Sequence, residues 1–237
     1  MTKSELREHA WRLLEIHRGA RFPGPKGRIP NFVGAERAAL VLQALPVWRR
    51  AHVVKVNPDS PQLPVRRMAL REGKTVYMPV PRLREEKCFI ELHPARLGKN
   101  LARAATIKAA AQFGRLVGIE EVNPLDLIIC GSVAVNGQGA RVGKGGGYSD
   151  LEFGLLREAG IVTARVPILT TVHHLQIVPS QIEMCPHDIP VDWIVTPEGS
   201  LRCAARYPKP PGIYWELLPE EKIAAIPALR RVRGRPA

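Results

Sequence analysis

The stretch Arg141-Val-Gly-Lys-Gly-Gly-Gly-Tyr-Ser-Asp150 gathers the residue types that bind phosphate. Glycine has no Cβ, so a phosphate can approach the backbone and successive N–H groups can turn into one concavity. Arg141 and Lys144 bring full positive charges to the same place. A β-type run precedes the loop and a helical pattern follows it, so a helix N-terminus adds partial positive charge. The spacing is neither G-x-x-x-x-G-K-[ST] nor G-x-G-x-x-G, and a glycine-rich surface hairpin has the same composition. The flanking charges favour phosphate.

Asp150 falls in the first turn of the following helix, where a carboxylate can serve as a cap or complement the helix dipole. Beside bound phosphates it would be a like charge, unless Mg²⁺ sat between them, held by one or two carboxylates and phosphate oxygens. Asp188 and Asp192, before the last strand pattern, are the candidates for a second carboxylate.

The elements around the loop alternate. Helical spacing covers 4–17, 35–45, 62–72, 99–113 and 150–159, with the second helix ending at Pro46. Strand patterns cover 52–56, 75–79, 125–130, 166–172 and 193–196, with a further β run at 131–135. Gly19–Pro30 is a loop of prolines and glycines. Strands alternating with helices predict a three-layer α/β/α sandwich with a mostly parallel sheet and an N-terminal helical segment. We place a single domain over 1–229 and a basic, frayed tail over 230–237.

The 237 residues include 35 Lys and Arg against 22 Asp and Glu, a net charge of +13 that attracts anions, from nucleotides to RNA. An RNA-binding protein is therefore a rival reading, although no RNP1 element occurs and aromatics for base stacking are few. The four cysteines are widely spaced without a C-x-x-C pair, which argues against zinc and a disulfide framework. No signal-peptide core and no spanning apolar run is found, so the expected location is cytoplasmic, with no membrane partner. His173 and His174, taken as strand residues, would face opposite ways and could not share a metal.

The glycine stretch resembles the R-L-G-R-G-G-G-Y-Y-D motif of the 5-formyltetrahydrofolate cyclo-ligase (methenyltetrahydrofolate synthetase) family. Lys3-Ser-Glu-Leu-Arg7 is similar to that family's N-terminal K-x-x-L-R helix, and Asp188-x-x-x-Asp192 fits its order. Arg28–Phe32, Val56–Asp59 and Pro208–Trp215 are similar to a longer, domain-containing branch. The resemblance implies an enzyme dependent on ATP and Mg²⁺ that converts 5-formyltetrahydrofolate to 5,10-methenyltetrahydrofolate. By carry-over, Lys3, Arg7, Arg141, Gly143, Lys144, Gly145, Gly146 and Gly147 hold ATP. Asp150 and Asp188 hold Mg²⁺. Arg141, Lys144 and Tyr148 serve catalysis, and Tyr148 lines the substrate site. Two departures stand out. Ser149 replaces the motif's second tyrosine, and the segment after the first strand, where the family has a folate-fixing glutamate, offers only Asp59. A paralogue with the ATP site and a different small carbonyl substrate is the alternative.

Overall fold

A computed structural model describes residues 1–204 and 206–234. The chain opens with α1 (Lys3–Ile16), whose N-cap Thr2 and Glu5 form a reciprocal capping box. Then follow α2 (Ala35–Gln43), α3 (Pro46–Arg50), β1 (Val53–Val56), α4 (Leu63–Arg71) and β2 (Thr75–Pro79). The next segment holds β3 (Phe89–Leu92), α5 (Pro94–Leu97), α6 (Leu101–Ala104), α7 (Ile107–Phe113) and β4 (Arg115–Val117). After β5 (Leu127–Cys130) comes a small hairpin of β6 (Ala134–Val135) and β7 (Arg141–Val142). The chain continues through α8 (Tyr148–Glu158), β8 (Ile168–Thr171), β9 (Trp193–Val195) and β10 (Ser200–Arg202). It ends, among the described residues, with α9 (Glu220–Ala225) and α10 (Pro227–Arg233).

The main sheet runs β10-β9-β8-β5-β1-β2-β3-β4. Strands β9, β8, β5, β1 and β2 are parallel, while β10, β3 and β4 pair antiparallel at the edges. Alternation along each strand feeds two cores. Leu127 and Ile129 join Val54, Val56, Leu42, Trp48 and Leu70 on one face. Ile128 and Cys130 join Leu151, Leu155, Ile223 and Leu229 on the other. Helix α1 packs Leu6, Ala10 and Trp11 on the β6–β7 hairpin through Val133, Ala134 and Val142. The expected α/β sandwich with a mostly parallel sheet is what forms.

Several local expectations change. Pro46 does not close the second helix; it occupies the first turn of a separate one, where its missing N–H costs nothing. The helix expected over 99–113 is broken at Thr106, which leaves helical geometry and caps α7 by accepting from Ala109 N–H. Strands β3, β4, β7 and β10 lie outside the expected strand patterns. Residues 230–233, expected to fray, belong to α10, which buries Ala228 and Leu229 and ties Arg231 to Glu120 and Arg233 to Glu220. Residues 235–237 of that tail lie outside the described residues.

Candidate active site

The chain leaves β1 toward β2 on one side, and passes from β5 to β8 and β9 on the other. The order therefore reverses between β1 and β5, and ligands of open α/β sheets bind in the crevice at the carboxyl ends of such strands. Here those ends are Val56-Asn57 and Cys130-Gly131, and the glycine loop lies over them. Ile29, Asp59, Gly131, Arg141, Lys144, Tyr148, Ser149 and Asp150 face one another across a narrow cleft.

The loop geometry requires glycine. Gly145 has φ +106° and Gly147 φ +65°, a region that costs an L-residue about 1–2 kcal/mol. Gly147 in the left-handed conformation is the N-cap of α8, so the helix begins at Tyr148, before the expected residue 150. A Cβ at Gly145 would touch the Arg7 guanidinium, and one at Gly147 would sit 3.3 Å from Lys222 Nζ.

The cations foreseen from the sequence converge here, each already engaged. Arg7 Nε donates to Gly143 O at 2.7 Å, which docks α1 on the loop. Lys144 Nζ lies 3.4 Å from Asp59 Oδ1, with its side chain half exposed. Lys3 pairs with Asp188, whose Oδ2 also accepts from Cys185 N–H. Arg141 is buried; Nη1 donates to Gly131 O at 3.0 Å and Nη2 to Asp150 Oδ1 at 2.9 Å, while Nε has no partner among the described residues. Burial acts to lower the Arg141 pKa, and the charge and hydrogen bond of Asp150, with smaller contributions from Cys130 and Asp188, together raise it, so the guanidinium stays charged.

Asp150 does not cap α8 with its side chain. Its Oδ1 accepts from Arg141 and, at 3.1 Å, from Ile189 N–H, which brings the segment of Asp188 to the loop. Asp192 is not brought there: its Oδ2 accepts from Ile168 N–H and Lys209 Nζ, both at 2.7 Å, tying β8 to the segment entering β9. His173 and His174 follow β8 rather than lying in it, and their rings are 4.2 Å apart instead of on opposite faces. No group of three or more His, Cys, Asp or Glu able to hold a metal occurs among the described residues.

Two features escaped the sequence reading. Asn57 Nδ2 donates to Ser149 Oγ at 2.8 Å, and Asn57 Oδ1 accepts from Lys55 Nζ, itself paired with Glu152. The alternation of β1 puts Lys55 on the α8 side of the sheet, but an inward lysine is legible only once its partner is known. Lys222, on α9, donates to Gly146 O at 2.9 Å and lies over the Tyr148 ring. Its place in a charged terminal segment gave no signal.

The sequence profile of the 5-formyltetrahydrofolate cyclo-ligase family matches residues 1–197. The chain belongs to that family. Methenyltetrahydrofolate synthase domain-containing proteins of mouse and human are 38% and 37% identical to this cyclo-ligase family member, over 99% of the chain. It spans 64% and 62% of their respective lengths. The NMR structure of Aquifex aeolicus 5,10-methenyltetrahydrofolate synthetase superposes with a TM-score of 0.51 at 23% identity. That match covers 92% of this chain and all of the Aquifex chain, and it establishes the common fold. No helix among the described residues is long and apolar enough to cross a membrane.

Proposed function

We propose that the protein is an ATP- and Mg²⁺-dependent ligase that converts 5-formyltetrahydrofolate to 5,10-methenyltetrahydrofolate. The observation that carries this reading is the glycine loop at the strand-order reversal, ringed by Lys3, Arg7, Arg141, Lys144 and the Asp150–Asp188 pair of carboxylates.

The residues present suit both groups. Left-handed Gly145 and Gly147 leave a cradle that side chains would fill, and the orphaned Nε of buried Arg141 is a donor awaiting an acceptor. Asp150 uses Oδ1 for its two protein partners, and Asp188 uses Oδ2. That leaves Asp150 Oδ2, and Asp188 Oδ1 with His187 Nε2 3.9 Å away, to meet a hard cation, and Mg²⁺ takes one or two carboxylates plus phosphate oxygens. Bound ATP would transfer its γ-phosphoryl group to the formyl oxygen, otherwise a poor leaving group, releasing ADP, after which N10 would attack the formyl carbon and that oxygen would leave as phosphate. Lys144 and Arg7 neutralise charge on the transferred group, Arg141 fixes Asp150, and Tyr148 walls the site. Asp59 accepts from the pterin N–H groups. Positioning and charge neutralisation carry most of such a phosphoryl transfer.

One observation favours a second reading. The two departures from the family motif, Ser149 and the segment after β1, touch each other through Asn57. A pocket altered as a unit fits a paralogue that keeps the nucleotide site and takes a different small carbonyl substrate.

The test follows the absorbance of methenyltetrahydrofolate formed from 5-formyltetrahydrofolate, ATP and Mg²⁺. Product that depends on both ATP and Mg²⁺ supports the folate reaction. Clear ATP binding without product favours the second reading, and neither binding nor product removes both.

A further inference from the structure

We infer that Lys222 is a phosphate-binding residue of the nucleotide site, so that the segment from Tyr214 to Lys222 forms a wall of it. The inference rests on the proposed nucleotide reading and adds a residue beyond the 1–197 match of the family profile.

Three observations bring Lys222 to the loop. Its Nζ donates to Gly146 O at 2.9 Å, lies 5.4 Å from the Tyr148 ring centroid, and sits 3.3 Å from where a Gly147 Cβ would be. An ammonium has three N–H donors, and the Gly146 carbonyl takes one. Three other cations at the loop already have carboxylates: Lys3 has Asp188, Arg141 has Asp150 and Lys144 has Asp59, while Arg7, like Lys222, donates to a loop carbonyl. Lys222 has no carboxylate within ion-pair distance among the described residues. An anion arriving at the loop therefore meets in Lys222 a charge it need not win from a carboxylate.

The placement is built rather than incidental. Ile223 is buried in the core beside Leu151 and Leu155 of α8, which anchors α9. Gly212 and Ile213 pack on Gly154 of the same helix, and Ile213 N–H donates to Glu158. Between these anchors a cavity of about 120 Å³ opens beside the loop, with Gly147, Asp150, His187, Tyr214 and Lys222 in its wall. The ligand class is a nucleoside triphosphate whose phosphates reach the α8 N-terminus, which supplies partial positive charge of its own.

The experiment is calorimetric titration of the full chain, wild type, Lys222→Met and Lys222→Arg, with ATP in Mg²⁺ and with adenosine. Lys222→Met keeps the stem over Tyr148 and removes the charge. The expected result is a loss of about 10- to 100-fold in ATP affinity for Lys222→Met, recovery in Lys222→Arg, and unchanged adenosine binding. Equal ATP affinity in wild type and Lys222→Met overturns the inference and leaves the nucleotide reading standing. So does a parallel loss for adenosine, which marks a merely structural role. Wild type that binds no ATP overturns both.

Discussion

Lys55 of β1 and Glu152 of α8 form a buried ion pair beneath the glycine loop, 1% and 5% exposed. Asn57 accepts from the same Lys55 ammonium and donates to Ser149, so the end of β1 and the first turn of α8 are one polar unit. Buried pairs of this kind contribute little net stability, but removing one partner strands a charge and costs about 3–5 kcal/mol. Glu152→Leu is expected to lower the unfolding free energy from denaturant titration by that amount, and Lys55→Met with Glu152→Leu by clearly less. A double variant as unstable as the sum of the singles would contradict coupling.

At the far edge of the sheet, Glu91 accepts from Arg115, Arg96 and the Tyr77 hydroxyl. Burial pushes its carboxyl up, and the hydrogen bonds and charge of Arg115, with Tyr77 and Arg96, outweigh that and hold it below the ordinary range. A carboxyl depressed in the folded state contributes stability above its unfolded pKa and loses it as pH falls through the folded value. Urea unfolding between pH 6 and pH 3 is therefore expected to show a steeper acid loss in wild type than in Glu91→Gln. Parallel curves would contradict this.

Gly147→Ala must hold alanine at φ +65° and place its Cβ against Lys222. A stability loss of about 1–2 kcal/mol is expected from the backbone alone, together with weaker nucleotide binding. Gly160→Ala, also at positive φ but with open space around it, should show the stability loss and keep nucleotide binding. Intact nucleotide affinity in Gly147→Ala would contradict the role of the loop.

Asp150→Asn removes the charge that faces buried Arg141 and, in the proposed function, a Mg²⁺ ligand. The charged hydrogen bond makes a stability loss of about 1.5–3 kcal/mol the expectation, alongside weaker Mg²⁺-dependent binding. The stability cost follows from the burial of Arg141, whose charge Asp150 faces. Normal Mg²⁺-dependent affinity with only earlier melting would leave Asp150 a structural role.

What was legible in the sequence was short-range. The glycine loop, its flanking Arg141 and Lys144, the start of α1 at Lys3 and the parallel strands all carry their signals within a few residues. Long-range partners were hidden. Lys222 meets Gly146, and Lys55 meets Glu152, only after the sheet has formed, and nothing in the local pattern names such pairs. Asp192 carried the same short-range signal as Asp188, yet Lys209 and the Ile168 N–H take it. The missed strand β3 follows a charged turn at Arg84–Lys87, and its Glu91 breaks the apolar run because Arg115 waits on β4.

Calorimetric titration with ATP in Mg²⁺ tests most directly whether this loop is the seat of nucleotide binding. Wild type and Lys144→Ala are compared, because Lys144 is half exposed and its ion pair with Asp59 is long at 3.4 Å, so the fold does not depend on it. The expected result is saturable binding by wild type and a loss of about 1.5–3 kcal/mol in the variant, roughly 10- to 100-fold in affinity. Equal binding by the two proteins, or none by wild type, would contradict it.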